Sequence, residues 1–384
     1  MAFYLAFKEV WRNKGRFFLF SLVIALITTL VLFIAGLAEG LSLANKQYLE
    51  NLDAQLLVFQ QNVDLSTTAS RIGRSKVNDI RRVEGIADLG SIGFSNGTIV
   101  FQNGLEPLNI SLIGVEAGKP GAPPVIAGDD FLTDRGAEVI IDMNVVDQTG
   151  LAIGDWIRVK TIQGTDEEFY DLVVVGITAE QQYFFQPSIF IPYRTWDQIR
   201  PQGAVQSGLV ELTSNVVAIK LESPAEMQRV SQRITNQVEG VEVSDIKTAY
   251  ESAPGYQAQQ STLNTQSGFT LLIGLLVIGG FFQIQLLQKV PQIGVLKAIG
   301  ASNSTVAVAV VLQIVLVTTF GVLLGGLVTL GLALGIPGTV PVEFSGSSVL
   351  LATISLLLIG PIGGLVSVRL AVSVEPLLAL GLSS

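Results

Sequence analysis

The stretch "FFLFSLVIALITTLVLFIAGLA", Phe17 to Ala38, holds 22 residues without a charge. A helix of about 20 apolar residues crosses the roughly 30 Å of hydrocarbon in a bilayer. In that solvent every backbone polar group has to be satisfied inside the protein, so the run predicts a membrane-spanning helix. Three further runs make the same case: Ser267–Leu287, a stretch within Thr305–Leu334, and Ser348–Val368, which Arg369 ends. A cleaved leader usually has an apolar region of about 7–15 residues with a small-x-small cleavage site, and the first run is longer than that. The predicted fold class is therefore a four-helix membrane protein with a mixed α/β extracytoplasmic domain inserted between the first and second helices.

Charge supplies the orientation. Of 384 residues, 49% are hydrophobic and only 14% charged, yet the net charge is −9, so acids and apolar runs must be segregated. Lys8, Arg12, Lys14 and Arg16 precede the first span against a single acid, Glu9. Basic flanks mark the cytoplasmic side. With four spans, the segments expected inside hold seven bases and two acids, whereas residues 39–266 hold 29 acids and 16 bases. The expected boundaries are an amphipathic cytoplasmic helix at 1–16, spans at 17–40, 267–287, 305–334 and 348–368, and the inserted domain at 41–266. A cytoplasmic helix at 288–304, an outer loop at 335–347 and a cytoplasmic tail at 369–384 complete them.

Within the inserted domain, "AQLLVFQQ", "GTIVFQ", "LNISLIGV", "AEVIIDM", "WIRVKTI", "DLVVVGI", "SIFIPY" and "VVAIKLE" read as short strands bounded by turn-forming residues. "VNDIRRVEGI" and "AEMQRVSQRITNQVEG" read as amphipathic helices, the second closing on Gly240. Together they predict a β/α frame with a β-rich insertion. Met143 and Met227 read as core.

The chain has no cysteine and no histidine, which excludes thiolate nucleophiles, Cys/His zinc sites and Ser-His-Asp chemistry. A phosphate loop would read G-x-x-x-x-G-K-(S/T). The nearest stretch, "GVEAGKP" at 114–120, has the wrong spacing and ends in proline. ATP hydrolysis is not expected on this chain, nor is a nucleic acid expected as a partner of so acidic a domain.

"QKVPQIGVLKAIGAS", Gln288–Ser302, lies between two apolar runs, carries Lys289 and Lys297, and has no acid. Helical spacing of Ile293, Leu296 and Ile299 predicts a short helix from Gln292 to Ala298 lying flat under the membrane, its lysines toward water or headgroups. A plain basic loop is the alternative from the residues alone. "QIGVLKAIGAS" closely resembles the coupling segment of FtsX-like ABC permeases of the type VII, macrolide-exporter-like architecture, usually E-I-G-x-L-(R/K)-A-I-G-A-(S/T). "VRLAVSVEPLLALG", with Glu375, Pro376, Ala379 and Leu380, resembles that family's ending, and "AFKEVWRNKGRFFL" its amphipathic beginning. Gln292 stands where many members have Glu. That variant, with "VLFIAGLAEGL" (31–41) and "GYQAQQSTLN" (255–264), resembles the permeases of haem-regulated exporters of Gram-positive bacteria.

The resemblance implies a permease subunit of an efflux pump, with no intrinsic cofactor, moved by a separate ABC ATPase subunit that carries ATP and magnesium. Gln292, Ile293, Val295, Leu296, Lys297 and Ile299 would then form the coupling contact, Lys297 pairing with an acid on the ATPase. A second copy of the chain, membrane lipid and haem are the other implied partners. The same architecture also serves mechanotransmitters and exporters of lipoproteins, peptide antibiotics or macrolides.

Gly36 and Gly40 form a G-x-x-x-G pair that lets helices approach closely, here expected between two copies. Glu39 lies between them at the outer boundary, either as a plain interfacial acid or as a cargo group. With haem as cargo and no His or Cys, tyrosine, methionine or carboxylate would ligate the iron. The candidates are Glu39, Tyr48, Tyr256 and Tyr183, with Phe184 and Phe185 able to cover an apolar ring. Gln283 and Gln285 are expected to hydrogen-bond between helices, and Gly321, Gly325 and Gly326 to permit close helix packing.

Overall fold

A computed structural model describes residues 12, 14–101, 104–201, 212–253, 255–335 and 340–373. Most of the expected amphipathic helix at 1–16 and the tail carrying Glu375, Pro376, Ala379 and Leu380 lie outside them. The chain divides into a membrane unit, residues 1–40 and 260–384, and an inserted domain, residues 41–259.

The elements run α1 (Lys14–Glu50), β1 (Leu56–Gln60), β2 (Ile72–Gly73), α2 (Arg74–Arg81), β3 (Ile86–Val100), β4 (Leu108–Val115), β5 (Val125–Gly128), β6 (Glu138–Asp142) and α3 (Met143–Thr149). They continue with β7 (Trp156–Gln163), β8 (Asp166–Thr178), β9 (Ser188–Pro192), α4 (Tyr193–Ile199), β10 (Thr213–Ser214), β11 (Val216–Leu221), α5 (Met227–Gln237), β12 (Val241–Asp245) and α6 (Ile246–Glu251). The last four are α7 (Tyr256–Leu287), α8 (Val290–Ala298), α9 (Asn303–Ala333) and α10 (Gly346–Ser373).

Helices α1, α7, α9 and α10 are long and apolar enough to cross a membrane. The first and second extend past the uncharged runs: α1 to Glu50, and α7 from Tyr256 rather than Ser267. Their packing depends on small residues, because hydrocarbon gives large side chains no reason to leave the surface. A side chain on Gly325 would place its Cβ 2.5 Å from the Ala25 carbonyl, and one on Gly321 2.6 Å from Ile24. Gly360 faces Thr318, and Gly279 faces Gly363 across α7 and α10. Gly326 departs from the expectation, since a Cβ added there would meet no neighbouring helix within 4 Å. The Gln283 side chain faces outward, and buried Gln285 has no partner for Nε2 among the described residues, so neither makes the interhelical bond expected of it.

The inserted domain is built on a ten-stranded mixed sheet, ordered β12-β1-β11-β3-β4-β9-β6-β8-β5, with β7 paired to β3 and β8. Strand β3 begins eleven residues before the "GTIVFQ" stretch that announced it. Its first eleven residues, "IADLGSIGFSN", include two Gly and two Ser, residues that argue against a strand when read locally. The reason for the glycines lies across the sheet. Gly93 pairs with Gly114 on β4, and the indole of Trp196 fills the bare seat they leave. Trp196 is fully buried and donates Nε1–H to Ser95 Oγ at 2.9 Å, which anchors α4 to the sheet.

Helix α5 buries Val230 and Ile234 against Leu56, Val217 and Val241, as its period requires. The other expected helix, "VNDIRRVEGI", is shifted: α2 starts at Arg74 and stops at Arg81, releasing Ile86 into β3. At the start of α3, Asp142 accepts backbone N–H bonds from Val145 and Ser188, each 2.8 Å. Burial nevertheless outweighs those bonds and pushes its carboxyl up to about 6.

Candidate functional site

Two places carry the residues singled out above. The first is α8 and its flanks. Pro291 occupies the first turn, where its missing N–H is harmless. Ile299 caps the helix, Gly300 follows at φ 101°, Gly300 N–H donates to Lys297 O at 3.0 Å, and Ala301 N–H donates to Leu296 O at 3.0 Å. That pair of bonds around a left-handed glycine is a Schellman cap, and it closes the helix with its own backbone. Ser302 then caps α9 by accepting from Thr305 N–H. "AIGAS" is thus a stop and a restart written in five residues.

The cap leaves Val295, Leu296 and Ile299 outward, with 42, 39 and 81% of their surface exposed. Gln292 is also exposed. Ile293, expected on the same contact face, turns inward and packs with Leu286, Val306 and Ala371. The lysines depart from expectation too. Lys289 donates to Gln313 Oε1 at 3.1 Å, and Lys297 donates to the Val372 carbonyl at 2.6 Å. Both are engaged inside the chain rather than spread toward water or headgroups, and Lys297 is not held out for a partner's acid.

The second place surrounds Glu39 on α1. Glu39 Oε2 accepts from Ser348 Oγ at 2.9 Å, at the start of α10. Gly36 lies against the Phe344 ring, Gly40 lies against the Pro341 carbonyl, and Glu343 N–H donates to Gly36 O at 3.0 Å. The Gly36–Gly40 face expected to meet a second copy therefore meets the loop before α10 of the same chain, because bare glycines let that backbone in. Beside this loop is an apolar cavity of about 330 Å³ lined by Leu32, Val322, Leu327, Leu330, Phe344 and Thr353. Phe344 and Ser348 escaped the sequence reading: one is a single aromatic in a short loop, the other a serine at a helix start.

The three candidate tyrosines share one apolar core in the inserted domain. Tyr48 is 1% exposed and donates its hydroxyl to Gly121 O at 2.7 Å. Burial, with Tyr183 adjacent, holds its phenol well above the ordinary value. Tyr183 shares a hydrogen bond with Thr67, and burial pushes its phenol up to about 12. Both lie buried in that core with their hydroxyls bonded inside the domain, so the structure places Tyr48 and Tyr183 as packing residues rather than exposed ligands. Tyr256 is buried edge-on to Tyr250, with its hydroxyl 3.1 Å from Ser42 Oγ. Phe184 and Phe185 remain exposed on the adjoining turn, both at positive φ.

Residues 17–237 match the model of the MacB-like periplasmic core domain, and residues 264–376 that of the FtsX-like permease C-terminal region. The chain belongs to the MacB/FtsX family of ABC transporter permeases. The permease is 28% identical to HrtB of Staphylococcus haemolyticus, named as a hemin transport system permease protein, over 98% of its own length and 99% of the relative's. It is 22% identical to the macrolide export ATP-binding/permease protein MacB of Psychrobacter arcticus, over 74% of its own length and 44% of that protein. Among solved structures, the extracellular domain of the ABC-type transporter YknZ covers 50% of the permease at 14% identity, with a TM-score of 0.37 and 99% of that domain matched.

Proposed function

We propose that this permease is the membrane subunit of an ABC efflux pump that exports haem from the membrane, driven by a separate ATPase subunit acting on α8. The observation that carries the coupling is the exposed apolar face of Val295, Leu296 and Ile299 on a short helix closed at its end and anchored at its base. Exposed apolar side chains on a polar segment fit a protein partner better than water. With no phosphate loop in the sequence, the energy has to arrive from another chain. ATP closes two ATPase subunits, each pushes one α8 of a permease pair, and the spans shift as rigid bodies.

The haem reading rests on the full-length likeness to HrtB. Tyr256 shares the apolar core of Tyr48 and Tyr183, which leaves Glu39 as the candidate outside it, with Tyr256 kept as the second residue to test. Glu39 hydrogen-bonds Ser348, and Phe344 of the preceding loop lines an apolar cavity, features suited to an amphiphile with one polar anchor. The test is resistance to haem in cells, and the Soret band of the purified complex, after Glu39→Ala and Tyr256→Ala, singly and together. Loss of both signals supports haem export. Unchanged resistance and spectra in the double variant overturn the site, and ATPase stimulation by another amphiphile or capture of a specific external partner would replace haem as the cargo.

A further inference from the structure

Lys297 has a role that the exposed contact face does not explain. Its own helix does not need it, since the Schellman cap already satisfies the carbonyls of Leu296 and Lys297. Its ammonium instead reaches the Val372 carbonyl on α10. A charge-assisted bond of 2.6 Å from α8 to α10 is a strong, directional link.

The base of α8 is tied elsewhere. Lys289 bonds Gln313 on α9 and lies 5.4 Å from the centre of the Phe17 ring on α1. Arg16 on α1 donates to Gln288 Oε1 at 2.7 Å. The apolar seam of Leu286, Ile293, Val306 and Ala371 joins α7, α8, α9 and α10. Ala371 is a small contact and slides easily, whereas the Lys297 bond fixes distance and direction.

We propose that Lys297 is a positioning residue that fastens α8 to α10, so that a push on the apolar face of α8 moves the fourth span together with the others. The inference deepens the coupling reading and rests on it for its functional consequence, but the tether itself is a property of this chain alone. Replacing the ammonium leaves Val295, Leu296 and Ile299 in place to bind an ATPase and removes the Lys297 bond to α10.

The chain has no native cysteine, so spin labels at Ala298→Cys and Ser373→Cys report the α8–α10 distance cleanly. A single narrow distance is expected in the parent protein and in Lys297→Arg, and a broadened one in Lys297→Met. Lys297→Gln serves as the second neutral variant should Lys297→Met fail to accumulate. In the complex with its ATPase, Lys297→Met should co-purify and hydrolyse ATP at the parent rate while hemin exported per ATP falls about tenfold, as loss of one charge-assisted bond allows. Lys297→Arg should restore the ratio. A narrow, unchanged distance in the neutral variant, or an unchanged export ratio, overturns the inference. If the parent chain binds no ATPase, the coupling reading fails, and the distance measurement still decides the tether.

Discussion

The two units of this permease follow one rule in two solvents. In the inserted domain Leu57, Phe59, Ile92 and Trp196 are buried, and ion pairs such as Lys220–Asp53 and Arg158–Asp171 lie at the surface. In the membrane unit Leu323, Leu327 and Leu330 point outward, while Ser21, Thr28, Gln313 and Ser367 lie inside. Water expels apolar surface, whereas lipid is indifferent to it and penalises polar groups. Glycine shows the contrast best. Gly93 and Gly114 make room for an indole in the domain, while Gly321, Gly325 and Gly360 let helices touch in the membrane. The membrane unit also buries large side chains such as Ile24, Phe282 and Ile314, and its glycines bring the helices that carry them into contact.

Three substitutions test that contrast, in order of effect. Trp196→Ala should cost about 3–5 kcal/mol, because it empties the seat above Gly93 and Gly114. Urea titration of the full-length protein, followed by protease sensitivity of the inserted domain, reads it, and a loss under 1 kcal/mol would mean the indole is not what holds α4 to the sheet. Gly325→Leu should cost about 1–3 kcal/mol in the opposite way, by forcing bulk into the gap to the Ala25 backbone. Thermal unfolding in detergent would show it, and an unchanged midpoint would mean α1 and α9 do not meet there. Leu327→Ala, on a side chain 66% exposed to lipid, should change stability by no more than about 0.5 kcal/mol. A loss as large as that of Gly325→Leu would show that α9 is covered by protein at that position.

Much of the architecture could be read from the chain. Uncharged length announces a span because it reports the solvent directly, and "AIGAS" announces a helix stop because only glycine takes the left-handed position without strain. Local reading failed where distant residues decide. "IADLGSIGFSN" looks unlike a strand until Trp196 is brought over Gly93. Tyr48 and Tyr183 looked available as ligands until the fold buried them with Phe94 and Phe190. Gly36 and Gly40 announced a close approach without saying to what, and Phe344 and Pro341 supplied the answer.

The amino-acid order by itself determined the four spans, the large domain between the first two and the short helix after the second span. Each depends on the neighbours of a residue in sequence, through hydrophobic length, backbone preference or a local cap. Only the tertiary structure decided which polar groups are free. Lys297 looked like a charge held out for a partner and is bound to Val372, 75 residues away. Glu39 looked isolated and accepts from Ser348, 309 residues away. Those pairings depend on which helix ends meet in space, and no local pattern carries that information.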